Sequence, residues 1–361
     1  RENGSLWETA LDTTVSSRPF VVNGQKKTEE IFVQDDANSI YLISSDGKVM
    51  WKKRLDEKIM GDVHQIDSRN NGKTQYLFNT RNKIYLLDGK GRDVRNYPVE
   101  LKSPATAPLS VFDYDEDKAY RILICTENRR IYNYNSLGEQ VPGFEFGKTD
   151  DAVTSSVKRI QVEGKDLLVC VDLSGKTYII NKKGERKITL KETIVSVDGN
   201  YFVEAGKTTP QCKIVYLDKK GNVQKLSFTD ERENIALKSF SSVPHFLYKD
   251  LDNDNIFEYI FLTDKSLIVF NQNKKERYDV KFPEKITSAP QFFRMSDGTG
   301  RVGVMCSYTN ETYLVDCTGK VCDGFPFHGS LPFSLGDINK DGSLNVITST
   351  TDRSIFAYTM E

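Results

Sequence analysis

One stretch near the N-terminus, SIYLISSDGKVMWKKRL, places apolar residues at every second position on either side of a polar turn. Ile40 and Leu42 stand at alternate positions before the turn, and Val49 and Trp51 do so after it. A period of two predicts strands with one buried face. Gly47 in the turn can adopt a positive φ without a steric clash, so we expect a β-hairpin here.

The same pattern recurs along the whole chain. An aromatic or β-branched residue is followed six positions later by a turn glycine at Tyr41/Gly47, Tyr85/Gly91, Tyr132/Gly138, Tyr178/Gly184, Val215/Gly221 and Tyr313/Gly319. Ile268, with Lys274 in place of the glycine, and Phe356 complete the series. The eight members are separated by 44, 47, 46, 37, 53, 45 and 43 residues. A period near 45 in an all-strand pattern is typical of propeller blades.

Each repeat predicts a blade of four strands, the first of which begins near a proline or valine. The predicted blades are 16–59, 60–103, 104–151, 152–193, 194–238, 239–286, 287–330 and 331–361. The fifth blade is the poorest match. Its expected first strand, Ile194–Val197, lacks the proline, and Thr208-Thr209-Pro210 interrupts the usual spacing.

The two ends of the chain predict how the blades close. The last repeat has three strands and then stops, whereas residues 5–11 stand alone before the first blade. These residues resemble a fourth strand, with Trp7 matching Trp51. We therefore predict an all-β fold, a single domain spanning 1–361, in which the N-terminal strand completes the last blade of an eight-bladed β-propeller.

Composition and charge exclude several classes of partner. The 50 lysines and arginines nearly balance 51 acidic residues, so the basic footprint of a nucleic-acid-binding protein is absent. No apolar run approaches the length of a membrane span, and no signal peptide is visible. Because the chain starts at Arg1, we expect it to be a piece of a longer protein. We also expect it to be a monomeric domain.

The six cysteines do not form a disulfide scaffold for a chain of this size. Cys125, Cys170 and Cys306 fall late in predicted second strands, where a small buried apolar residue explains them. Cys317 and Cys322 flank a turn without facing each other directly, so we do not predict a bridge between them.

Two turns between first and second strands are acidic at alternate positions. The candidate ligands are Asp250, Asp252, Asp254 and Glu258 in one loop, and Asp337, Asn339 and Asp341 in the other. Alternation can direct several oxygens at one hard cation, so calcium is one interpretation and the one cofactor that the sequence suggests. The other is that Asp and Asn side chains cap their own turns. Both interpretations remain open, and turn capping is slightly favoured.

The chain has three histidines, and none of them predicts a metal site. His64 and His245 fall in the first strands of the second and sixth blades, so they are candidates for polar lining of the central channel. A zinc site would need more ligands brought together. His328 is expected to be a surface or turn residue.

No catalytic motif is present. The sequence contains no nucleophile elbow, phosphate-binding loop, HExxH or dinucleotide fingerprint. Ser, Asp and Glu are abundant but do not occur at catalytic spacing, so an enzyme is the less favoured interpretation.

The repeat YLISSDGKVMW resembles that of quinoprotein-dehydrogenase-like eight-bladed propellers, with an aromatic strand, an Asp-x-Gly-Lys-type turn and a Trp. The acidic turns are similar to the Asp-rich loops of FG-GAP-type propellers, a resemblance that implies calcium. In overall texture, the chain resembles C-terminal propeller domains of larger Bacteroidetes proteins. Active quinoproteins carry adjacent cysteines, and no Cys-Cys pair occurs here.

These observations favour a non-catalytic binding or scaffold module of a larger bacterial cell-envelope protein, periplasmic or extracellular. It would contact a protein or glycan partner through loops at the channel mouths. Two alternatives remain. One is a polysaccharide-acting hydrolase or lyase, or a degenerate quinoprotein, and the other is a calcium-stabilised adhesion module.

Overall fold

The computed structural model describes residues 4–360. Within them the fold is all-β, with 31 strands in eight sheets and one short 3₁₀ helix. This is the predicted eight-bladed β-propeller. The chain divides into two compact units, one formed by residues up to 58 together with those from 240 onward, and the other by residues 59–239. In the described part of the chain, no helix is long and apolar enough to cross a membrane.

The first unit holds four sheets of four antiparallel strands, which are the first, sixth, seventh and eighth blades. The first blade consists of β2 (Phe20–Asn23), β3 (Glu29–Gln34), β4 (Ser39–Ile43) and β5 (Val49–Arg54), and the sixth of β21 (His245–Lys249), β22 (Glu258–Leu262), β23 (Ser266–Phe270) and β24 (Glu276–Lys281). The seventh blade consists of β25 (Gln291–Arg294), β26 (Gly300–Cys306), β27 (Glu311–Val315) and β28 (Phe327–His328). The eighth consists of β29 (Ser334–Gly336), β30 (Asn345–Ser349), β31 (Ser354–Thr359) and β1 (Trp7–Ala10).

The second unit holds the second to fifth blades. The second blade consists of β6 (Met60–Ile66), β7 (Gln75–Asn79), β8 (Lys83–Leu87) and β9 (Val99–Glu100), and the third of β10 (Ser110–Phe112), β11 (Arg121–Cys125) and β12 (Ile131–Asn135). The fourth blade consists of β13 (Lys158–Val162), β14 (Lys165–Val171), β15 (Thr177–Ile180) and β16 (Arg186–Thr189). The fifth consists of β17 (Phe202–Glu204), β18 (Lys213–Leu217), β19 (Val223–Ser227) and β20 (Arg232–Ile235). The 3₁₀ helix, Thr209–Gln211, lies between β17 and β18.

The middle strands of the blades are buried on both faces, whereas fourth strands such as β5 are largely exposed to solvent. Every residue of β4, β7 and β22 is buried, because neighbouring sheets pack against both sides of the middle strands. The fourth strand β5 alternates exposed and half-buried residues along most of its length. The cores therefore lie between successive sheets, as where Ile31 and Val33 meet Ile347 and Ile355.

The N-terminal strand completes the eighth blade, as predicted. β1 pairs antiparallel with β31, from Trp7 opposite Ala357 to Ala10 opposite Ser354. The indole nitrogen of Trp7 donates a 2.8 Å hydrogen bond to the carbonyl oxygen of Ser45 in the first blade. The pairing removes the open edge that β31 would otherwise present.

The prediction for the fifth blade was wrong in its first strand and in its repeat position. Residues 194–197 do not form the first strand; β17 does, and Ser196 makes only an isolated bridge to Asp218. Val215 lies in the second strand, β18. The Ser227 N–H donates to the Glu231 carbonyl oxygen, as the Ser44 N–H does to that of Lys48 in the first blade. Gln224, three residues before Ser227, is therefore the equivalent of Tyr41. With Gln224 the irregular intervals of 37 and 53 become 46 and 44.

The third blade has three strands instead of the expected four. After β12 the chain turns and Gln140 makes a single bridge to Tyr134, with the Val141 N–H bonded to the Asn133 carbonyl oxygen at 2.8 Å. Pro142 and Gly143 follow, and Gly143 has a φ of 76°. The second and seventh blades make the same turn, with φ of 73° at Asn96 and 85° at Gly324, before their fourth strands begin.

All six cysteines are free thiols. Five are buried and Cys317 is half-buried, so no disulfide joins Cys317 to Cys322. Burial raises the pKa of the Cys125 thiol to about 12. A thiol held neutral in this way behaves as a small apolar residue, as predicted for the three second-strand cysteines.

Candidate functional site

The acidic turns share one geometry in four blades. The carboxylates of Asp67, Asp113, Asp250 and Asp337 each accept hydrogen bonds from the backbone N–H groups four and five positions later. In each turn the third and fifth residues after the aspartate have positive φ. The leading aspartate of each turn therefore caps its own loop, as the turn interpretation predicted.

In three of these turns, the residue eight positions after the leading aspartate also bonds to the turn. Glu258 accepts a 2.8 Å hydrogen bond from the Leu251 N–H, and Asn345 accepts one of 3.0 Å from the Ile338 N–H. In the second blade, Gln75 does the same for Ser68 at 2.9 Å. These pairs close the base of each turn, so a polar residue is needed there with or without a metal ion.

The Asp250 loop nevertheless gathers negative charge. Asp250, Asp252 and Asp254 offer oxygens within 4.8 Å of one another, the arrangement that a hard cation requires. Arg277 Nη1 lies 2.9 Å from Asp252 and 3.0 Å from Glu258, and it supplies positive charge to the same loop. Burial raises the pKa of Glu258, and Arg277 opposes that shift. Calcium binding at this loop stays a prediction.

The Asp337 loop is bonded mostly to itself and to the first blade. The Asn339 amide donates to Asp341 at 2.8 Å, and Asp341 accepts the Ser343 N–H at 2.8 Å. Glu29 accepts the Asp337 N–H at 2.9 Å and pairs with the Lys340 ammonium at 2.6 Å. Asp337, Asn339 and Asp341 thus lie together, and their hydrogen bonds hold the turn against β3.

The histidines lie in strands and are described separately in the two units. His64 is half-buried in β6, opposite Leu77, and burial lowers the pKa of its imidazole. His245 is exposed at the start of β21, opposite Leu262. His328 packs edge-on against Phe356, with ring centroids 5.2 Å apart. The Asp250 loop is the only group of three metal-ligating side chains in residues 4–360, and it includes no histidine.

The turns between second and third strands are held by a different aspartate. Asp172 Oδ2 accepts a 2.9 Å hydrogen bond from the Tyr178 hydroxyl, and Asp172 Oδ1 accepts the N–H groups of Ser174 and Lys176 at 3.0 Å each. The Tyr178 hydroxyl in turn accepts the Asp150 N–H at 2.6 Å. Burial, with the Asp172 carboxylate nearby, raises the pKa of Tyr178 well above its usual range. The turn is therefore a rigid support.

This support presents an apolar side chain to solvent beside a pocket. Leu173 follows Asp172 and is 64% exposed, and Val195 is 50% exposed. Both line a cavity of about 200 Å³ whose walls include Val171, Ile194 and Tyr201. Exposed apolar residues around a concave surface are typical of docking sites.

Sequence reasoning missed this surface, although a signal was present. The residue after the turn aspartate or threonine is Asp36 in the first blade, Glu127 in the third and Lys219 in the fifth. Leu173 in the fourth blade is the only aliphatic residue at this position in the eight blades. Its pocket could not be found from the sequence because it depends on residues 194–197, whose assignment to a strand was wrong.

The fold has many solved neighbours, although no protein-family model and no curated protein sequence matches the chain. BamB from Moraxella catarrhalis superposes with a TM-score of 0.58 at 14% identity, covering 98% of this chain and 99% of BamB. Quinohemoprotein alcohol dehydrogenase from Comamonas testosteroni gives 0.61 at 11%, covering 99% of this chain and 76% of the enzyme. BBS1N, solved in complex with ARL6DN, gives 0.58 at 12%, covering 84% of this chain and 93% of BBS1N. Identities this low establish the fold alone.

Proposed function

We propose that the chain is a non-catalytic, protein-binding propeller module of a larger bacterial cell-envelope protein. The observation that carries the proposal is the exposed pair Leu173 and Val195 at the rim of a pocket in the second unit. Burying such a pair against a partner contributes about 25 cal/mol per Å² of apolar surface removed from water. This gain needs no rearrangement, because Asp172 and Tyr178 already fix the turn.

The surroundings of this pair resemble the plan of a protein interface. The apolar rim is bordered by Lys219, which lines the same pocket, and by the ion pair between Lys176 and Asp150 at 2.7 Å. Apolar anchors surrounded by polar residues are typical of interfaces in which a few side chains carry most of the binding energy. The likeness to BBS1N, solved with a bound protein, supports a propeller used as an interaction platform.

The test is site-specific photo-crosslinking in cells of the source organism. A photoreactive residue at position 173 or 195 should crosslink one defined protein, and Leu173→Asp should abolish capture by the probe at 195. Position 137 is the matched control, because Leu137 is 57% exposed on a turn of the third blade. Equal crosslinking from 137 and 173, or none from 173 and 195, would contradict the proposal. Fractionation of the full-length protein tests the cell-envelope setting.

A further inference from the structure

A second cavity lies beside the third blade, where a fourth strand would normally pack. Its volume is about 320 Å³, and it is lined by Tyr114, Arg121, Asn133, Phe144, Lys182 and Lys183 among others. This is at the lower end of the range for small-molecule sites. It shares no lining residue with the Leu173 pocket.

The cavity exists because the chain after β12 carries one extra residue. In the second blade, the N–H of the residue five positions after Asn96 donates a hydrogen bond to the Asn82 carbonyl oxygen. In the seventh blade, the N–H five positions after Gly324 donates in the same way to the Asn310 carbonyl oxygen. In the third blade the equivalent bond, Thr149 to Arg129, comes six positions after Gly143. The additional residue prevents segment 144–147 from pairing with β12.

Asn133 is the polar residue in this cavity that the fold does not explain. The equivalent positions in six other blades are the fully buried Leu42, Leu86, Ile179, Val269, Leu314 and Ala357. Asn133 is 5% exposed, and its Oδ1 atom has no hydrogen-bond partner. The hydroxyl of Tyr114 in the same cavity is also buried without a partner. Buried polar groups in folded proteins are normally satisfied, so both atoms are available to hydrogen-bond a molecule that enters the cavity.

Five charged side chains line the cavity, and the cations Arg121, Lys182 and Lys183 outnumber the carboxylates Asp115 and Asp117 by one. Lys182 is paired with Asp166 at 3.1 Å and Asp115 at 3.4 Å. Arg121 donates only to the carbonyl oxygens of Ala119 and Tyr120, at 3.2 and 3.0 Å. Among residues 4–360, neither Arg121 nor Lys183 has a carboxylate within 4 Å. Arg121 and Lys183 are therefore two cations without a salt-bridge partner in the described chain, against one such lining carboxylate, Asp117, which accepts the Ala119 N–H at 2.9 Å.

We propose that this cavity binds a carboxylated sugar residue of an acidic glycan. Sugar hydroxyls can both donate and accept, so they can satisfy the Asn133 Oδ1 acceptor and the Tyr114 hydroxyl together. The ring of Phe144 offers an apolar face to the sugar C–H groups, and the carboxylate lies toward Arg121 and Lys183. This site is independent of the protein-binding surface proposed above.

The test is titration of the purified chain with di-galacturonate and a glucuronate disaccharide, followed by saturation-transfer NMR and calorimetry, with cellobiose as the neutral probe. We expect saturable binding of an acidic sugar only. Asn133→Leu introduces the apolar residue type found in six other blades, so it should fold normally and weaken binding at least tenfold. Lys183→Gln should weaken it several-fold.

Lys90→Gln is the matched control, because Lys90 occupies the same position in the equivalent turn of the second blade and lies outside the cavity. It should leave affinity unchanged. The proposal is overturned if no acidic sugar binds saturably, if cellobiose binds equally well, or if Asn133→Leu binds like the wild type. Saturable binding of a hexaglutamate peptide with no binding of either sugar would also overturn it.

Discussion

Tyr41 donates a 2.7 Å hydrogen bond to Asp35, the residue six positions earlier across a turn. Tyr178 and Asp172 repeat the bond at 2.9 Å, and so do Gln224 and Asp218 through an amide nitrogen at 2.9 Å. The Tyr41 hydroxyl also accepts the Asp12 N–H at 3.1 Å. One side chain thus ties a turn of its own blade to the segment arriving from the preceding blade.

Tyr41→Phe should therefore destabilise the chain. The phenyl ring keeps its packing, but the buried Asp35 carboxylate loses a donor and the Asp12 N–H loses its acceptor, at a cost of about 1–3 kcal/mol. The midpoint and slope of urea unfolding measure this loss. Tyr308→Phe, at a residue that is 75% exposed, is the control and should change stability by less than about 0.5 kcal/mol. Equal midpoints for the two variants would refute the expected role of the bond.

Gly47→Ala should destabilise the chain more than Gly72→Ala. Both glycines have positive φ, 82° and 78°, so both substitutions incur about 1–2 kcal/mol of backbone strain. A Cβ atom added at position 47 would lie 2.8 Å from the Trp7 ring. A Cβ atom added at position 72 would have no neighbouring atom within 4 Å. We expect an additional loss of about 1–3 kcal/mol at position 47. Indistinguishable urea midpoints would mean that Trp7 does not pack against this turn.

Calcium should affect Arg277→Gln more than the wild type. The guanidinium neutralises Asp252 and Glu258, so its removal leaves the acidic loop repelling itself and should lower the melting temperature. Added Ca²⁺ should then restore part of that loss, because three carboxylates remain within 4.8 Å. Thermal melts with calcium and with chelator measure both effects. A calcium-dependent rise in the wild type as large as in the variant would favour a resident calcium ion instead.

The second blade should lose stability in acid through Asp67. Its side-chain hydrogen bond with Lys118 lowers the pKa of Asp67 from 3.8 to about 2. A carboxyl group whose pKa is lower in the folded state stabilises the protein above the unfolded pKa, and that contribution disappears as the pH falls from about 4 to about 2. Lys118→Met should flatten this part of the stability profile, as should Asp67→Asn. Unchanged acid limbs in both variants would contradict the assignment.

The regular parts of the fold could be predicted because most repeats carry the same two signals, an aromatic residue on the third strand and a turn glycine six positions later. Tyr41, Tyr85 and Tyr313 stand on third strands as expected, and β1 closes the last blade. The fifth blade could not be predicted correctly, since Gln224 replaces the aromatic residue and Asp230 replaces the turn glycine. The pair Val215 and Gly221, which belongs to the preceding hairpin, was therefore assigned to the repeat position instead.

The candidate sites were less predictable because they depend on side chains that the repeat does not constrain. Alternating acids identified the Asp250 loop, but its neutralising Arg277 comes from a strand two hairpins later. Asn133 was invisible as an anomaly until the register showed that its equivalents are Leu86 and Leu314. An unpaired polar atom can be recognised only when its neighbours in space are known.

The pairing of β1 with β31 also sets an order of events during synthesis. Trp7 and Ala357 are neighbours in one sheet although 350 residues separate them in sequence. At about 5–20 residues per second, the ribosome takes roughly 20–70 s to make that intervening chain. During this time β1 has no partner strand, and the edge-forming groups that it carries are available to any other unpaired strand. We therefore expect the nascent chain to depend on chaperones until its last strand emerges.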